Sequence, residues 1–122
     1  MIKNFILVGI GGGIGAMLRY LLYYFLKTTD FPLGTLVINI IGSFIIGLVI
    51  AASIKNVSFS AEAKLFLATG ICGGFTTFSS FSVENILLIQ EGRLNTALLY
   101  TLLSVAGGIA ATWLGFKIIN NI

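Results

Sequence analysis

GICGGFTTFSSF, residues Gly70 to Phe81, lies in the middle of a long apolar stretch and is badly written for a helix. Gly70, Gly73 and Gly74 each weaken a helix by roughly 1 kcal/mol relative to Ala. Thr76 and Thr77 are β-branched and stiff at χ1. Ser79 and Ser80 offer the backbone competing hydrogen bonds. Within a bilayer, interrupted backbone is tolerated only where protein buries it or a water-filled cavity receives it. Phe78 and Phe81 follow directly, three residues apart and so on one helical face. A broken helix, freed carbonyls and paired aromatics point to an ion site.

The surrounding chain is written for a membrane. Of its 122 residues, 57% are hydrophobic and 9% charged, and its mean hydropathy is +1.07. A soluble domain carries roughly 25% charge. The length fits one domain. No His is present, which excludes imidazole catalysis and His-based metal sites. The single Cys, Cys72, excludes an intrachain disulfide and a thiolate cluster. The acids Asp30, Glu62, Glu84 and Glu91 are spread too thinly for a catalytic pair. With no nucleophile–base set, an enzyme is not expected. The net charge of +3 bears on membrane orientation and gives no reason to expect nucleic acid.

Gaps between charges predict an all-α membrane protein with four spans, about 2–25, 33–54, 62–90 and 94–117, because a spanning helix needs about 20 apolar residues. The first begins Met-Ile-Lys-Asn but has no small-residue cleavage site before Arg19, so it reads as a retained helix. Gly11–Ala16 formally matches a dinucleotide fingerprint, yet the following residues read as continuing helix and not as a βαβ unit. Gly9/Gly13 and Gly11/Gly15 read better as G-x-x-x-G pairs for close helix approach. Arg19 either snorkels to the interface or lines an aqueous vestibule.

Pro32 stands just inside the start of the second span, where its missing N–H costs nothing. That span is uncharged and carries a small, polar stripe of Thr35, Asn39, Gly42, Ser43 and Gly47. Asn39 near its middle must find a helix partner or face water. Ser60 reads as the start of the third span, with an incomplete capping box. The expected first half runs to about Gly73, unwound chain to about Thr77, and a second half starts at Phe78. Glu84 follows one to two turns later, near a surface or facing water. The last span shows Tyr100, Ser104 and Gly108 at four-residue spacing. Lys3, Lys55, Lys64 and Lys117 fall on one side of the membrane, against Lys27 and Arg93 on the other, with Arg19 if it snorkels there. Such a weak positive-inside bias permits insertion in both orientations and antiparallel dimers.

The chemistry open to these groups is anion handling. Ring edges are positive, so Phe78 and Phe81 can face a small anion without trapping it. Asn39 can donate two N–H bonds, and Ser80, Ser104 and Tyr100 can add hydroxyls. Unwound carbonyls near Gly73 and Thr76 suit a hard cation.

Three motifs, GGGIGAMLRY (Gly11–Tyr20), GTLVINIIGSFIIG (Gly34–Gly47) and GGFTTFSSFSVE (Gly73–Glu84), together resemble the Fluc/CrcB fluoride channels of bacteria over essentially the whole chain. The resemblance implies an antiparallel, dual-topology homodimer with two pores, multi-pass in the bacterial cytoplasmic (inner) membrane, passively exporting F⁻ to relieve fluoride toxicity. It implies that Phe78 and Phe81 are the paired pore phenylalanines and Asn39 the pore amide. It gives a polar track over Ser79 or Ser80, Tyr100 and Ser104, with Glu84 near one end, and Arg19 as a vestibule arginine. A structural Na⁺ at the dimer centre would be held by the backbone carbonyls of Gly73 and Thr76. Two departures stand out: Ser80 replaces a threonine common in the family, and Gly108 lacks a hydroxyl expected in some members. Two rival readings remain on the residues alone. A proton-coupled exporter needs a titratable group in mid-membrane, and a non-transporting assembly subunit leaves Asn39 and the Phe pair unexplained.

Overall fold

The computed structural model describes residues 1–28, 30–56 and 58–122. Thr29 and Val57, within the first and second turns read from the sequence, lie outside the described residues. Helix α1 is Ile2–Phe25 and α2 is Leu33–Lys55. The third span, Ala61–Gln90, is composite. It opens with α3 (Ala61–Lys64), passes into a π-helical stretch (Leu65–Cys72), closes its first half with α4 (Gly73–Phe75), and resumes as α5 (Phe78–Gln90). Helix α6 is Leu94–Asn120. Among the described residues four helices are long and apolar enough to cross a membrane, and the third is bent at its interruption.

Local chemistry sets the ends. Pro32 occupies the N-cap of α2, one position earlier than expected. The Ser60 hydroxyl accepts the Ala63 N–H at 3.0 Å and starts α3. Gly92, at φ +76, closes α5: its N–H reaches the Ile89 carbonyl and the Arg93 N–H reaches Leu88. That is the double bond pattern of a glycine-terminated helix.

The interruption is narrower than the sequence suggested. Helical backbone runs through Phe75, and only Thr76 and Thr77 are extended. The winding before it is also unlike the expected α-helix, since the Gly73 N–H reaches back five residues to the Ala68 carbonyl.

Backbone contact fixes this half of the span. A Cβ on Gly11 would lie 2.7 Å from the Phe66 carbonyl oxygen and 2.9 Å from Gly70 Cα. A Cβ on Gly15 would collide with the Ile71 carbonyl, and one on Gly74 with that of Gly12. Of the two G-x-x-x-G pairs expected, only Gly11/Gly15 works this way inside the subunit, because Gly9 and Gly13 have no atom within 4 Å of a Cβ. Helices α2 and α6 form the other main seam. At one end of it α5 joins them around the buried residues Leu36, Leu88, Ala97 and Tyr100, with Phe31, Ile40 and Phe81 packed on the cluster.

Candidate functional site

Asn39 sits on α2 directly against the break. Its Oδ1 accepts the Thr77 N–H at 2.8 Å, and its Nδ2 donates to the Thr77 carbonyl at 3.1 Å. One side chain therefore satisfies both backbone groups of an extended residue, as a neighbouring strand would. Only one N–H of the amide is left for another acceptor, so Asn39 does not offer the two donors expected of it. Close approach here depends on Gly42, where a Cβ would collide with Thr76 Cγ2.

The break also releases carbonyls. In an α-helix the Gly73 carbonyl would receive the Thr77 N–H, and the Thr76 carbonyl the Ser80 N–H. Asn39 Oδ1 takes the first of these donors and the Thr77 hydroxyl, as N-cap of α5, takes the second at 3.1 Å. Gly73 and Thr76 thus lose their helical partners for identifiable reasons. Among the described residues no cluster of three His, Cys, Asp or Glu could hold a metal. A cation here would rely on backbone oxygen, and the two released carbonyls fit a hard ion such as Na⁺. Arg19 reaches back to the break. Its Nε donates to the Gly74 carbonyl at 3.1 Å, placing a half-buried guanidinium beside the break.

Beyond the break, the start of α5 carries a hydroxyl cluster. Thr77 Oγ1 lies 3.1 Å from Ser79 Oγ and donates to Ser80 Oγ at 3.2 Å. An aromatic row follows. The Phe78 and Phe81 centroids are 5.5 Å apart, Phe81 and Tyr100 are 5.0 Å apart, and Phe31 meets Tyr100 edge-on at 5.5 Å. Phe81 is half-buried, whereas Phe78 is 77% exposed on the lone subunit.

The row ends at Glu84. Thr35 donates its hydroxyl to one carboxylate oxygen and Tyr100 to the other, each at 2.8 Å. Thr35 has one hydrogen and it is committed, so the Tyr23 hydroxyl, 2.8 Å away, is the donor to Thr35. Tyr100 was expected as a free donor; its hydrogen instead belongs to Glu84. A groove of about 880 Å³ opens over Glu84, Thr35, Tyr23 and Lys27. Glu84 therefore lines this groove with each carboxylate oxygen accepting one hydroxyl. Thr35 and Tyr100 are almost wholly buried.

Ser104 stands apart. Its Oγ is buried with no hydrogen-bond partner among the described residues, at a second groove of about 900 Å³ along α6, beside Ser43 of α2 and Gly108 and Thr112. The expected site residues thus fall into three places: Asn39, Phe78, Ser79, Ser80, Arg19, Gly73 and Thr76 at the break; Phe81, Tyr100 and Glu84 along the row; and Ser104 in the second groove. Reading the sequence alone missed Thr77 as cap and clamp partner, and the Tyr23–Thr35 support of Glu84. Thr35 lay in the polar stripe and could have been found there; Tyr23 carried no signal.

This combination is that of a multi-pass membrane protein with an interrupted helix. The chain matches the family described as CrcB-like protein, Camphor Resistance (CrcB), over residues 6–116, and it belongs to that family. Among similar proteins is one of Azobacteroides pseudotrichonymphae, 47% identical over 95% of both chains. Another, of Yersinia pseudotuberculosis, is 46% identical over 99% of this chain and 97% of its own. A third, of Thermus thermophilus, is 42% identical over 96% and 94%. The first and third are named fluoride-specific ion channel FluC, and the second fluoride-specific ion channel FluC 1.

Proposed function

We propose that this protein is a fluoride-selective passive channel that lets F⁻ leave the cytoplasm of a bacterium across its inner membrane and so relieves fluoride toxicity. It works as an antiparallel, dual-topology homodimer with a structural Na⁺ between the subunits. The observation that carries this reading is end-to-end likeness, at 42–47% identity, to proteins named fluoride-specific channels.

The subunit's chemistry supports it. Fluoride is small and strongly hydrated, so its water must be replaced at close range by weak donors that also release it. The edges of Phe78 and Phe81, the free N–H of Asn39 and the Ser104 hydroxyl are donors of that kind. Larger chloride would fit such a path less well. Incompleteness of the single subunit supports a dimer. Phe78, exposed beside the break, gains a covered position only from a second copy or lipid. Na⁺, when bound, supplies positive charge near the anion path. The carbonyls of Gly73 and Thr76 from two copies would hold it, and Asn39 and Thr77 keep them free of helical donors.

The test is anion efflux from liposomes loaded with KF or KCl and released by valinomycin. Rapid F⁻ efflux without Cl⁻ efflux, and without a pH gradient, is the expected result. F⁻ movement only with a proton gradient would make the protein a coupled carrier. No anion movement from well-folded protein would return it to an assembly role.

A further inference from the structure

The groove around Ser104 has an unusual hydrogen inventory. Thr112 lines it too, but its hydroxyl donates to the Ser43 carbonyl at 2.9 Å and is committed. Elsewhere in the spans Ser53, Thr76 and Ser82 turn their hydroxyls back onto their own helices. Ser43 does not: among the described residues its hydroxyl makes no hydrogen bond, and neither does that of Ser104. Two uncommitted hydroxyl donors therefore share one membrane groove, with the Lys117 cation at its far end.

Ser43 has a second distinction. A smaller hollow of about 370 Å³ lies against the break, lined by Asn39, Thr76, Thr77 and Phe78, and Ser43 lines that one as well. It stands four residues after Asn39, on the same face of α2. Ser43 thus belongs to the wall of both the Ser104 groove and the Asn39 hollow. Across from it is Gly108, whose absent Cβ would sit 3.5 Å from Ser43 Oγ, an ordinary contact distance. The hydroxyl missing from α6 at position 108 has a counterpart directly opposite on α2.

The geometry points to Ser43 as a permeation residue, whose hydroxyl passes the anion between the Ser104 groove and the Asn39–Phe78 hollow in place of a side chain at position 108. This inference rests on the fluoride-channel reading and adds a residue that the motif resemblance did not assign. It also explains why Gly108 need not interrupt the polar path.

The experiment compares F⁻ efflux from liposomes holding wild type, Ser43→Ala, Ser43→Cys and the double variant Ser43→Ala/Gly108→Ser, each first checked for a single symmetric elution peak. Losing one hydrogen bond to an anion costs on the order of tenfold, and Ser43→Ala should slow efflux by about that factor. Ser43→Cys preserves packing but donates weakly. It should also be slow, and it carries the test if the alanine variant aggregates. Gly108→Ser in the Ser43→Ala background should return efflux to within about threefold of wild type, since the same hydrogen bond is regained. Wild-type rates in both single variants would overturn the proposal. Slow efflux that Gly108→Ser does not restore would overturn it too, by making Ser43 a packing residue. Absence of F⁻ efflux in wild type itself would instead remove the channel reading on which the inference stands.

Discussion

The two halves of the third span are held in opposite ways. The first, from the π-helical stretch to Phe75, meets α1 backbone to backbone: Gly11, Gly15 and Gly74 leave no room for a methyl group. The second, α5, is held by side chains, through the Thr77 cap, the aromatic row to Tyr100 and the hydroxyls on Glu84. Asn39 is the joint between them. The glycine seam fixes position through backbone contact. A side-chain-held helix leaves grooves, donors and an exposed ring beside the break. The hydroxyl cluster and the exposed ring lie on the half that packs less tightly, while the tight half is held backbone to backbone against α1.

The largest effect should come from putting a methyl group into the glycine seam. Gly15→Ala sets a Cβ against the Ile71 carbonyl, with Phe75 N at 2.8 Å, and neither is a flexible side chain. Overpacking of this kind costs about 1–3 kcal/mol or more. Loss of monodisperse protein on size exclusion is expected, and a normal yield would show that the seam can part.

Next comes Phe78→Ile, which keeps bulk and removes the ring edge. F⁻ efflux should drop at least about tenfold, the factor for roughly 1.4 kcal/mol, with unchanged elution. An unchanged rate would take the ring out of the path.

Tyr100→Phe is subtler. It preserves the aromatic row but takes one donor from Glu84, leaving a carboxylate oxygen short of a bond worth about 1.5–3 kcal/mol. A lower thermal midpoint in detergent and slower efflux should appear together. A drop in midpoint alone would confine Glu84 to stability.

The smallest effect belongs to Gly13→Ala, two residues from Gly15 on the open side of α1. With nothing for the methyl to meet, the fold should stay within about 1 kcal/mol of wild type. The contrast with Gly15→Ala, read as two thermal midpoints, isolates close approach from glycine's intrinsic flexibility.

Much of the fold was legible in the sequence, and the site less so. Uncharged runs mark spans because bilayers exclude charge, and Gly73-Gly74 with Thr76-Thr77 mark a break because propensities fail there together. The π winding from Leu65 leaves no compositional trace, since a five-residue hydrogen bond uses the same residue types as a four-residue one. For the same reason the unwound segment was read as longer than two residues. Asn39 was legible as a polar group needing a partner, but the partner was not, because Thr77 lies 38 residues away and only folding brings it close. Glu84 shows the same limit more strongly: Thr35 reaches it from 49 residues away. Ser43 was visible within a small-residue stripe, but Gly108 facing it from α6 was not, because that neighbour is set by folding.

The most direct test of this account is F⁻ efflux through Asn39→Ala, measured beside wild type after both elute as the same species. The variant leaves the glycine seam intact and strips the joint from the break, so the account predicts a correctly assembled protein whose F⁻ efflux is nearly abolished. Wild-type efflux through Asn39→Ala would contradict it, because the break and its grooves would then owe nothing to the side chain that clamps them.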